Sequence, residues 1–367
     1  MKYFLAIPVL GIVFSLLPTT GPAFIKPFSS VIQKKNPNEG LFESNDILNI
    51  KLSGDLRDLF NDRSDNAKFH NIILFYSDKD SSTVSVPVKA KTRGHFRRTM
   101  GDCTYPPIWL DFSENKNEKI SLFNGQAKLK LVMPCRGDEF VIREYLLYRI
   151  YNLVTEKSFR TRLVRIETED VKRKKKTEPF YGMLLEEDKQ MAKRNHARLI
   201  KKTMVRMQNM QFEAFLKMAV FEYLIGNTDW SVEYQQNIRL LSTDSLALPT
   251  TVPYDFDLAG LVSAPYAQPA EELQMQSVRE RRYRGYCIKD MNKFDGVIAF
   301  YNSLKKDIYS LYTNCSLIDA KYLKATIQYL DEFYNTINNP KKLQEEFGYP
   351  CRPNGTGNII IKGLQKE

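Results

Sequence analysis

The spacing of apolar residues changes halfway along this chain of 367 residues, and that change restricts the fold more than any other feature. In the first half, short runs alternate apolar and polar residues with a period of two, which is typical of strands with one buried face. In the second half, apolar residues recur three and four positions apart, which is typical of amphipathic helices. A strand-rich first half followed by a helical second half predicts an α+β fold with two lobes.

The runs that carry the two patterns can be placed on the sequence. Strands are predicted in the first half at residues 71–76, 84–91, 108–110, 127–132, 163–166 and 181–185, together with one helix at 139–154. Helices are predicted in the second half at 211–225, 289–312 and 318–337, with a short strand at 238–241. This gives a β-rich N-lobe at 41–187, a helical C-lobe at 188–348 and a tail at 349–367. The basic run at 172–176 is expected at the solvated tip of a hairpin, with a polyanion site as the alternative.

The first 23 residues predict a signal peptide rather than a part of the fold. Met1 and Lys2 supply a short charged start, the run from Phe4 to Leu17 is apolar, and small and helix-breaking residues follow it. This is the order of a secretory signal; the alternative is an uncleaved N-terminal anchor. Residues 24–40, which are rich in Pro, Ser, Asn and Lys, are expected to form a linker. We therefore expect an exported protein that is periplasmic, attached to the cell envelope or extracellular.

Composition excludes several classes of protein. Apolar residues make up 43% of the chain and aromatic residues 12%, so the chain can form a core and is neither disordered nor of low complexity. No run of about 20 apolar residues follows the signal, which leaves no integral membrane domain once the signal is removed. The 54 basic and 43 acidic residues give a net charge of +11, which favours an anionic partner. Nucleic acid is not expected as that partner, since no recognised binding motif for it is present.

The five cysteines contain no C-x-x-C pair, which argues against a zinc or thioredoxin-type site. In an exported protein they can form disulfides. Cys103 and Cys135 both flank strand-like runs of the same lobe, so this pair is the expected bridge. An odd number of cysteines leaves one thiol free or paired with another chain, and the pairing of Cys287, Cys315 and Cys351 stays open.

The residues with the clearest chemistry lie in the second half. Asp229 follows the first predicted helix of that half, and Asn237 stands eight positions later. Asp255 and Asp257 come after a hairpin, and on an extended segment both carboxylates would point to the same side. Such neighbours repel one another and are stabilised by a divalent cation, for which an Asn adds a neutral oxygen ligand. One acid that positions a hydroxyl, and an Asn with a second acid that hold Mg²⁺, form the arrangement that phosphoryl transfer requires.

The first half offers the cationic groups that such a site needs. Lys130 lies on a predicted strand and Glu144 on the next helix, which suits a phosphate-binding lysine held by a helix acid. Lys128 is on the same face as Lys130 and is the alternative. Arg93, at the end of the longest strand, opens a strongly cationic turn that is able to face phosphates. Glu186 follows the last strand of the lobe, where a hinge is expected. The chain has neither a G-x-G-x-x-G loop nor a Walker A loop.

Each of these features also has a purely structural explanation. An Asp-x-Asp pair is commonly a turn or a surface feature, and Asn227 and Asp229 can cap the next segment. Lys130 and Glu144 can form an ordinary ion pair, and the cationic turn can simply be solvated. The order of the elements along the chain favours the chemical interpretation. Of the other candidates, His95 and His196 are expected at the surface, and Trp109, Phe212 and Phe215 in the core.

Residues 83–262 resemble the CotH-like atypical kinases, a family named after a spore-coat protein kinase. The resemblance covers about half of the chain. It rests on Arg93-Gly94 at a strand end, on Leu129-Lys130-Leu131 with Arg143-Glu144-Tyr145-Leu146, on Tyr181-Gly182-Met183-Leu184-Leu185-Glu186, and on Asn227-Thr228-Asp229 with Asn237 and Asp255-Phe256-Asp257. The chain is also similar to a group of exported bacterial proteins, of no known function, that share the strings GNTDW and PYDFD.

The resemblance implies a two-lobed, protein-kinase-like fold that transfers the γ-phosphoryl group of ATP, with Mg²⁺ or Mn²⁺, to a hydroxyl of a protein or saccharide. It implies that Asp229 is the catalytic acid and that Asn237, together with Asp255 or Asp257, supplies the metal ligands, so all three residues are candidates. It implies that Lys130 is the phosphate lysine and Glu144 its partner. The cationic turn at Arg93 and the hinge position of Glu186 add these two residues to the candidate cofactor-binding set.

Two other functions remain open from the sequence. The chain can be a catalytically inactive pseudokinase that acts as a binding or coat module of the cell envelope. It can also be a metal-dependent glycosyltransferase, since Asp-x-Asp motifs also bind metal–nucleotide-sugar complexes. That last function predicts a Rossmann-like first half with alternating strands and helices, whereas the sequence pattern of the first half is β-rich.

Overall fold

The computed structural model describes Met1 and residues 40–353, apart from 79–81, 102, 115–121, 203 and 245. The described residues from Gly40 to Pro353 belong to one compact unit. The predicted signal peptide and linker lie outside the described residues except for Met1 and Gly40, and so does the predicted tail from residue 354 onwards. These three predictions are therefore not tested.

Eight strands of the N-terminal half form one sheet. They are β1 (Leu48–Gly54), β2 (His70–Ser77), β3 (Thr83–Thr92), β4 (Ile108–Asp111), β5 (Lys128–Val132), β6 (Thr161–Asp170), β7 (Lys175–Lys176) and β8 (Phe180–Leu185). Their order is β1-β2-β3-β4-β5-β8-β6-β7, and β1 also pairs with β6, so the sheet closes on itself. Neighbouring strands are antiparallel except for β1 and β6, which are parallel. A parallel pair is unavoidable because alternating directions cannot close a ring of seven strands.

The inside of the closed sheet is one hydrophobic cluster. Inward-facing residues alternate along each strand, as Val88 and Ala90 do on β3 and Leu129 and Leu131 do on β5. All six predicted strands of this half are present, with ends that differ by a few residues. β1 was not predicted from the sequence, although its buried residues show the same alternation.

Helices dominate the C-terminal half. The α-helices of the described residues, counted over both halves, are α1 (Leu56–Asn61), α2 (Phe96–Thr99), α3 (Asp138–Val154), α4 (Asp188–Arg194), α5 (Phe212–Ile225), α6 (Asp295–Thr313), α7 (Ala320–Ile337) and α8 (Pro340–Phe347). A small second sheet contains β9 (Arg198–Ile200), β10 (Ile238–Ser242) and β11 (Thr250–Pro253), in the order β11-β10-β9. The fold is therefore mixed α+β, with most strands preceding most helices, as the change in apolar spacing predicts.

Local signals explain where the long helices begin and end. The side chain of Asp319 caps α7 by accepting a hydrogen bond from the backbone N–H of Tyr322. Asn339 caps α8 in the same way, with Pro340 at the first helical position. The helix predicted from residue 289 begins as a short 3₁₀ turn at Met291–Phe294 and becomes α6 only at Asp295.

A second hydrophobic cluster joins the helices to the outside of the closed sheet. Val132 on β5 and Met183 and Leu185 on β8 point away from the inner cluster and belong to the helical one. The two clusters therefore share strands, and this arrangement fixes β5 against the C-terminal half. Of the three aromatic residues expected in the core, only Phe215 is fully buried; Phe212 is 40% exposed and Trp109 is half-buried. These two predictions were wrong because Trp109 lies on the outer face of β4 and lines a cavity there, while Phe212 is exposed at the start of α5.

Two disulfides are present. Cys103–Cys135, the expected bridge, links the segment after α2 to the segment after β5. Cys287–Cys351 is a second bridge that the sequence left open, and Cys315 is free, as the odd number of cysteines allows. The basic run at 172–176 lies at the hairpin between β6 and β7, where Lys172 and Arg173 pair with Asp55 and Asp58. Among the helices of the described residues, none combines the length and apolar character needed to cross a bilayer.

Candidate functional site

A cleft of about 200 Å³ lies where the closed sheet meets the C-terminal half. Six of the eight residues singled out in the sequence line it, although they come from segments far apart in the chain. The lining residues are Arg93, Gly94, His95, Phe96, Arg97, Pro107, Lys130, Asp229, Gln236, Asn237, Asp255, Asp257 and Leu258. Glu144 lies directly behind this lining, and Glu186 lies elsewhere.

The end of α5 places Asp229. Gly226 adopts the left-handed conformation (φ 70°) that stops the helix. The side-chain oxygen of Asn227 then accepts a hydrogen bond from the backbone N–H of Asp229 at 3.1 Å. Asn227 thus stabilises the turn, in keeping with the local capping role that the sequence allowed for it. The carboxylate of Asp229 extends into the cleft instead.

Arg284 holds the Asp229 loop from the protein interior. Its Nη1 donates to the backbone carbonyls on both sides of Asp229, those of Thr228 and, at 2.9 Å, Trp230. Burial lowers the pKa of this guanidinium to about 10, and the charge of Asp229 opposes the shift. Arg284 was missed in the sequence because it stands among several arginines (residues 279–284) with no spacing that sets it apart.

A hairpin brings Asn237 beside Asp229 and Asp255. In the register of β10 and β11, Ile238 pairs with Pro253, so Asn237 and Tyr254 stand at the adjoining step. The side-chain nitrogen of Asn237 donates to the Asp229 carboxylate at 2.9 Å and to its carbonyl at 2.7 Å. Gln236 donates to the other carboxylate oxygen at 3.1 Å. Gln236 is a further site residue that the sequence analysis missed; its only signal was its position next to Asn237.

The Asp255–Asp257 segment is not extended, contrary to the sequence prediction. Asp255 has a φ of 65°, in the left-handed region, and its N–H donates to the hydroxyl of Tyr148 at 2.9 Å. This bend separates the two carboxylates so that each meets a different cation. Asp255 faces Lys130, while Asp257 faces Arg97 and accepts a hydrogen bond from Tyr266 at 3.3 Å.

Lys130 has a different partner from the expected one. Its ammonium lies 3.2 Å from Asp255 Oδ1, and Glu144 instead lies 3.9 Å from Arg97. The Lys130 side chain is only 6% exposed, whereas that of Asp255 is 37% exposed and reachable from the cleft. Lys128 does share the outer face of β5 but pairs with Asp111 at 3.3 Å and does not line the cleft.

Arg97 is the centre of the buried charge cluster. It lies 3.8 Å from Asp257 and 3.9 Å from Glu144, and it also donates to the carbonyl of Met133. The cationic turn that begins at Arg93 is therefore not solvated throughout, because Arg97 and Arg98 are buried. Sequence analysis chose Arg93 from this turn, and nothing in the spacing of its arginines indicated that Arg97 would be the one to meet the acids.

Burial and mutual repulsion set the protonation of the acids. Burial, reinforced by the charge of Asp255, raises the pKa of Asp257 to about 6, although Arg97 opposes the shift. Burial and the charges of Asp257 and Asp255 raise the pKa of Glu144 to about 8. Burial also acts on Asp255, but the charges of Lys130 and Arg93 outweigh it and lower the pKa of Asp255. The cluster therefore concentrates negative charge on Asp255 and holds a proton on Glu144 at neutral pH.

Among the acids of the cleft, Asp229 has the properties that best suit a general base. Burial and the charge of Asp255 raise its pKa, while hydrogen bonds from Gln236 and Asn237 act in the opposite direction. A carboxylate whose proton affinity is raised, and whose orientation is fixed by two amides, is able to accept a proton from a hydroxyl placed beside it.

Arg93 and Glu186 have distinct surroundings. Arg93 lines the cleft with its guanidinium 4.7 Å from the centre of the Trp109 ring, and its buried Nε has no hydrogen-bond partner. Glu186 accepts hydrogen bonds from Arg194 and from the backbone of Arg160. These contacts tie the segment after β8 to the end of α4 and to the residue before β6. They occupy both carboxylate oxygens, so the structure does not bring Glu186 to the cleft.

The described residues contain no ready-made group of three or more His, Cys, Asp or Glu side chains for a metal ion. The donor chemistry nevertheless suits Mg²⁺ or Mn²⁺, which prefer carboxylate and amide oxygens. Asp255 is reachable from the cleft, and the nitrogen of Asn237 is committed to Asp229, which leaves its amide oxygen as a ligand. A cation here would also oppose the effects of burial and of the Asp255 charge, which together raise the pKa of Asp257.

None of the known family models matches the chain, and none of the curated proteins matches it. Among solved structures, the chain is similar to CtkA, a proinflammatory kinase of Helicobacter pylori, with a TM-score of 0.39 and 13% sequence identity. The similarity covers 67% of this chain and 90% of that one. At this level of similarity, function has to be inferred from the cleft itself.

Proposed function

We propose that this protein is an exported, two-lobed, kinase-like phosphotransferase that moves the γ-phosphoryl group of ATP to a hydroxyl with the help of Mg²⁺ or Mn²⁺. One observation carries the proposal: Lys130, Asp229, Asn237 and Asp255, from separate segments, line a single cleft. These are the residue types that phosphoryl transfer uses to bind phosphates, position the nucleophile and hold the metal.

The contacts suggest a role for each residue. Lys130 and Arg93 supply positive charge for the phosphates, and Asp255 and Asn237 would hold the divalent cation. Asp229, fixed by Gln236 and Asn237, would orient the acceptor hydroxyl and take its proton. A bound divalent cation would supply charge neutralisation of the phosphate oxygens.

The nucleotide would have to alter the cleft on binding. The cleft has a volume of about 200 Å³, which is below the roughly 300–1,000 Å³ of most ligand pockets. The Lys130–Asp255 ion pair also occupies the two groups that would serve phosphate and metal. We therefore expect binding of Mg–ATP to separate this pair, with the lysine moving to phosphate and the carboxylate to the metal.

The decisive experiment follows transfer of labelled γ-phosphate from ATP in the presence of Mg²⁺ or Mn²⁺. The acceptors offered are the protein itself and polygalacturonate, an anionic saccharide. Asp229→Asn keeps the shape of the side chain and removes its basicity, so we expect a loss of at least about a hundredfold. Asp307→Asn, at an exposed position on α6, is the matched control and should retain full activity. Equal transfer by Asp229→Asn and the unmodified protein would contradict the proposed role.

A second candidate is a pseudokinase that binds without transferring phosphate. The small volume of the cleft and the Lys130–Asp255 ion pair favour it. It predicts stabilisation by a ligand with no incorporation of label. A ligand at 100 times its dissociation constant stabilises the folded protein by about 2.7 kcal/mol, so a thermal-shift panel of Mg–ATP, Mn–ATP and metal–UDP-sugars would separate binding from transfer.

The glycosyltransferase alternative is less well supported. It predicts alternating strands and helices in the first half, whereas the described strands there form a closed and mainly antiparallel sheet. In the same thermal-shift panel, stabilisation by a UDP-sugar that is lost in Asp257→Ala would favour this alternative over the phosphotransferase.

Export belongs to the proposal as well. Two disulfides, Cys103–Cys135 and Cys287–Cys351, are typical of proteins in oxidising compartments. Together with the apolar N-terminal run they favour a periplasmic, envelope or extracellular location. The acceptor would then be a protein or saccharide of that location, and the net charge of +11 favours an anionic one.

A further inference from the structure

A second cavity, of about 390 Å³, lies on the outer face of the closed sheet. We call it the outer cavity and define it by Phe69, Lys91, Arg93, Trp109 and Lys128. The other lining residues are Ser64, Asp65, Thr92, Gly94 and Arg98. Arg93 and Gly94 line the candidate cleft as well, so the two spaces share one wall. A group bound in the outer cavity would therefore be adjacent to the cleft.

Strand register explains why this face is cationic and aromatic. Lys91 on β3 pairs with Trp109 on β4, which pairs with Lys130 on β5. Since paired residues share a face of the sheet, this row runs from the outer cavity to the lysine of the cleft. Trp109 stands between the two lysines and carries the guanidinium of Arg93 at 4.7 Å from its ring centre.

Two ammonium groups converge over one exposed ring. Lys91 and Lys128 lie 5.8 and 5.7 Å from the centre of the Phe69 ring, and Phe69 is 44% exposed. Such a separation is within the range of cation–π attraction, which holds both lysines at the cavity despite their like charge.

The cations of the outer cavity exceed its anions. Lys128 pairs with Asp111, and Arg98 with Asp65. Lys91 and Arg93 form no ion pair with any carboxylate in the described part of the chain, and Arg93 Nε is buried without a hydrogen-bond partner. Arg93 interacts with the Asp255 carboxylate only at longer range, and Lys91 has no carboxylate partner within ion-pair distance among the described residues. Positive charge therefore exceeds negative charge beside an open space, which favours an anionic ligand.

The architecture argues against a peptide as that ligand. Extended peptides usually bind by adding a strand to a free sheet edge, but β3, β4 and β5 each have neighbours on both sides. Helical peptides need an apolar groove, and this cavity is lined largely by charged side chains. A saccharide with acidic substituents meets neither difficulty, because its ring faces can contact Phe69 and Trp109 while its acidic groups meet Lys91 and Arg93.

We propose that the outer cavity binds an acidic saccharide, and that this saccharide is the acceptor of the phosphoryl group. The second statement rests on the proposed function, whereas the first does not. The shared wall of Arg93 and Gly94 would place a hydroxyl of the bound chain at the entrance to the cleft, on the way to Asp229.

Calorimetric titration of the full chain tests the binding directly. The probes are a galacturonate hexamer, the neutral maltohexaose, a glutamate hexapeptide and Mg–ATP. We expect the galacturonate hexamer to bind in a salt-sensitive manner and the other two oligomers to bind at least about tenfold more weakly. Lys91→Gln should weaken the galacturonate complex about tenfold, since it removes one charge-assisted contact.

Lys51→Gln is the matched control. Lys51 also lies over a phenylalanine ring, Phe75, at 4.6 Å, but it pairs with Glu169 and lines neither the cleft nor the outer cavity. We expect this variant to bind the galacturonate hexamer as the unmodified protein does. A Trp230→Phe background leaves Trp109 as the only indole, and its emission should change when the hexamer binds.

The saccharide site would be overturned if galacturonate did not bind, if maltohexaose bound equally well or if the glutamate peptide bound more tightly. An unchanged affinity for galacturonate in Lys91→Gln would also overturn it. Complete displacement of the hexamer by Mg–ATP would assign the outer cavity to the nucleotide and overturn it too. Binding without any transfer of phosphate would contradict the proposed function and leave the saccharide site standing. Transfer of phosphate to protein without binding of galacturonate would support the proposed function and overturn the saccharide site.

Discussion

Glu144 illustrates how a buried acid is governed by its neighbours rather than by its place in the sequence. It was expected to hold Lys130, yet its carboxylate lies near Arg97, and burial together with the charges of Asp257 and Asp255 raises its pKa to about 8. At neutral pH the side chain is mainly protonated. The charge balance of the cluster therefore depends on pH in a range where an isolated glutamate would not titrate.

This shift predicts a pH dependence of stability. Glu144 is protonated in the folded protein up to a pKa of about 8 and in the unfolded chain only up to 4.5. The folded state thus binds more protons between these values, so the free energy of unfolding falls as the pH rises from the lower to the higher one. Glu144→Gln should flatten this part of the curve by an amount on the order of a few kcal/mol at most.

Urea unfolding at several pH values across that range would measure the effect. Glu114→Gln, at an exposed residue that pairs with Lys89, is the control and should leave the slope unchanged. If Glu144→Gln and the unmodified protein show the same slope, Glu144 does not carry a proton in the folded state.

At the scale of elements, the end of α5 is the feature on which the site depends most. Gly226 has a φ of 70°, and a Cβ placed on it would lie 2.1 Å from the hydroxyl of Tyr329. Glycine is required here both for the backbone conformation and for the close approach of α7. The turn it permits leads directly into Asn227 and Asp229.

Gly226→Ala should therefore destabilise the protein by about 2 kcal/mol or more, since the left-handed conformation alone costs a residue with a Cβ about 1–2 kcal/mol. Gly296→Ala is the matched control, because Gly296 lies in α6 with open space around its Cα. We expect that change to be neutral or stabilising by about 0.5–1 kcal/mol. Chemical denaturation of both variants is the measurement; equal stabilities would show that the turn at Gly226 is not strained by a side chain.

The β10–β11 hairpin is the second element that builds the site. Its register places Asn237 next to Tyr254, and so brings one predicted metal ligand beside the segment of the other two. Sequence analysis located the strand of β10 and the polar turn after it. It could not give the bend at Asp255, which results from the hydrogen bond to Tyr148 and from the contact with Lys130.

At the scale of the whole molecule, shared strands join the two large hydrophobic clusters of the described residues. β5 and β8 contribute Leu131 and Leu184 to the cluster inside the closed sheet and Val132 and Leu185 to the helical cluster. Lys130 lies between these two sets of contacts. The described residues from Gly40 to Pro353 belong to one compact unit, so we expect the sheet and the helices to unfold together.

The two tryptophans of the chain make this expectation testable, because Trp109 lies in the sheet and Trp230 beside Asp229. Trp230→Phe leaves a reporter of the sheet, and Trp109→Phe leaves a reporter of the C-terminal half. Within each variant, the midpoint of urea unfolding by fluorescence should coincide with the midpoint by far-UV circular dichroism. A fluorescence transition of Trp109 that is separate from the dichroism transition would show that the closed sheet unfolds independently.

Much of the fold follows from the sequence, because apolar spacing is a local property. The period of two and the helical spacing located the main strands and helices, and the flanking strands indicated the Cys103–Cys135 bridge. The candidate residues of the cleft were also chosen largely from their types and their order along the chain. The prediction that Phe212 lies in the core was wrong, because the exposure of a side chain depends on which parts of the chain pack against it.

Tertiary structure alone decided which charges meet. The closure of the sheet through the β1–β6 pair, the pairing of Lys130 with Asp255, and the central place of Arg97 all join residues that are distant in sequence. The sequence determined which side chains were available and where the chain would be strand or helix, since both depend on neighbouring residues. It could not determine the ion pairs or the outer cavity, because electrostatic and packing energies depend on distances in space that only the folded chain sets.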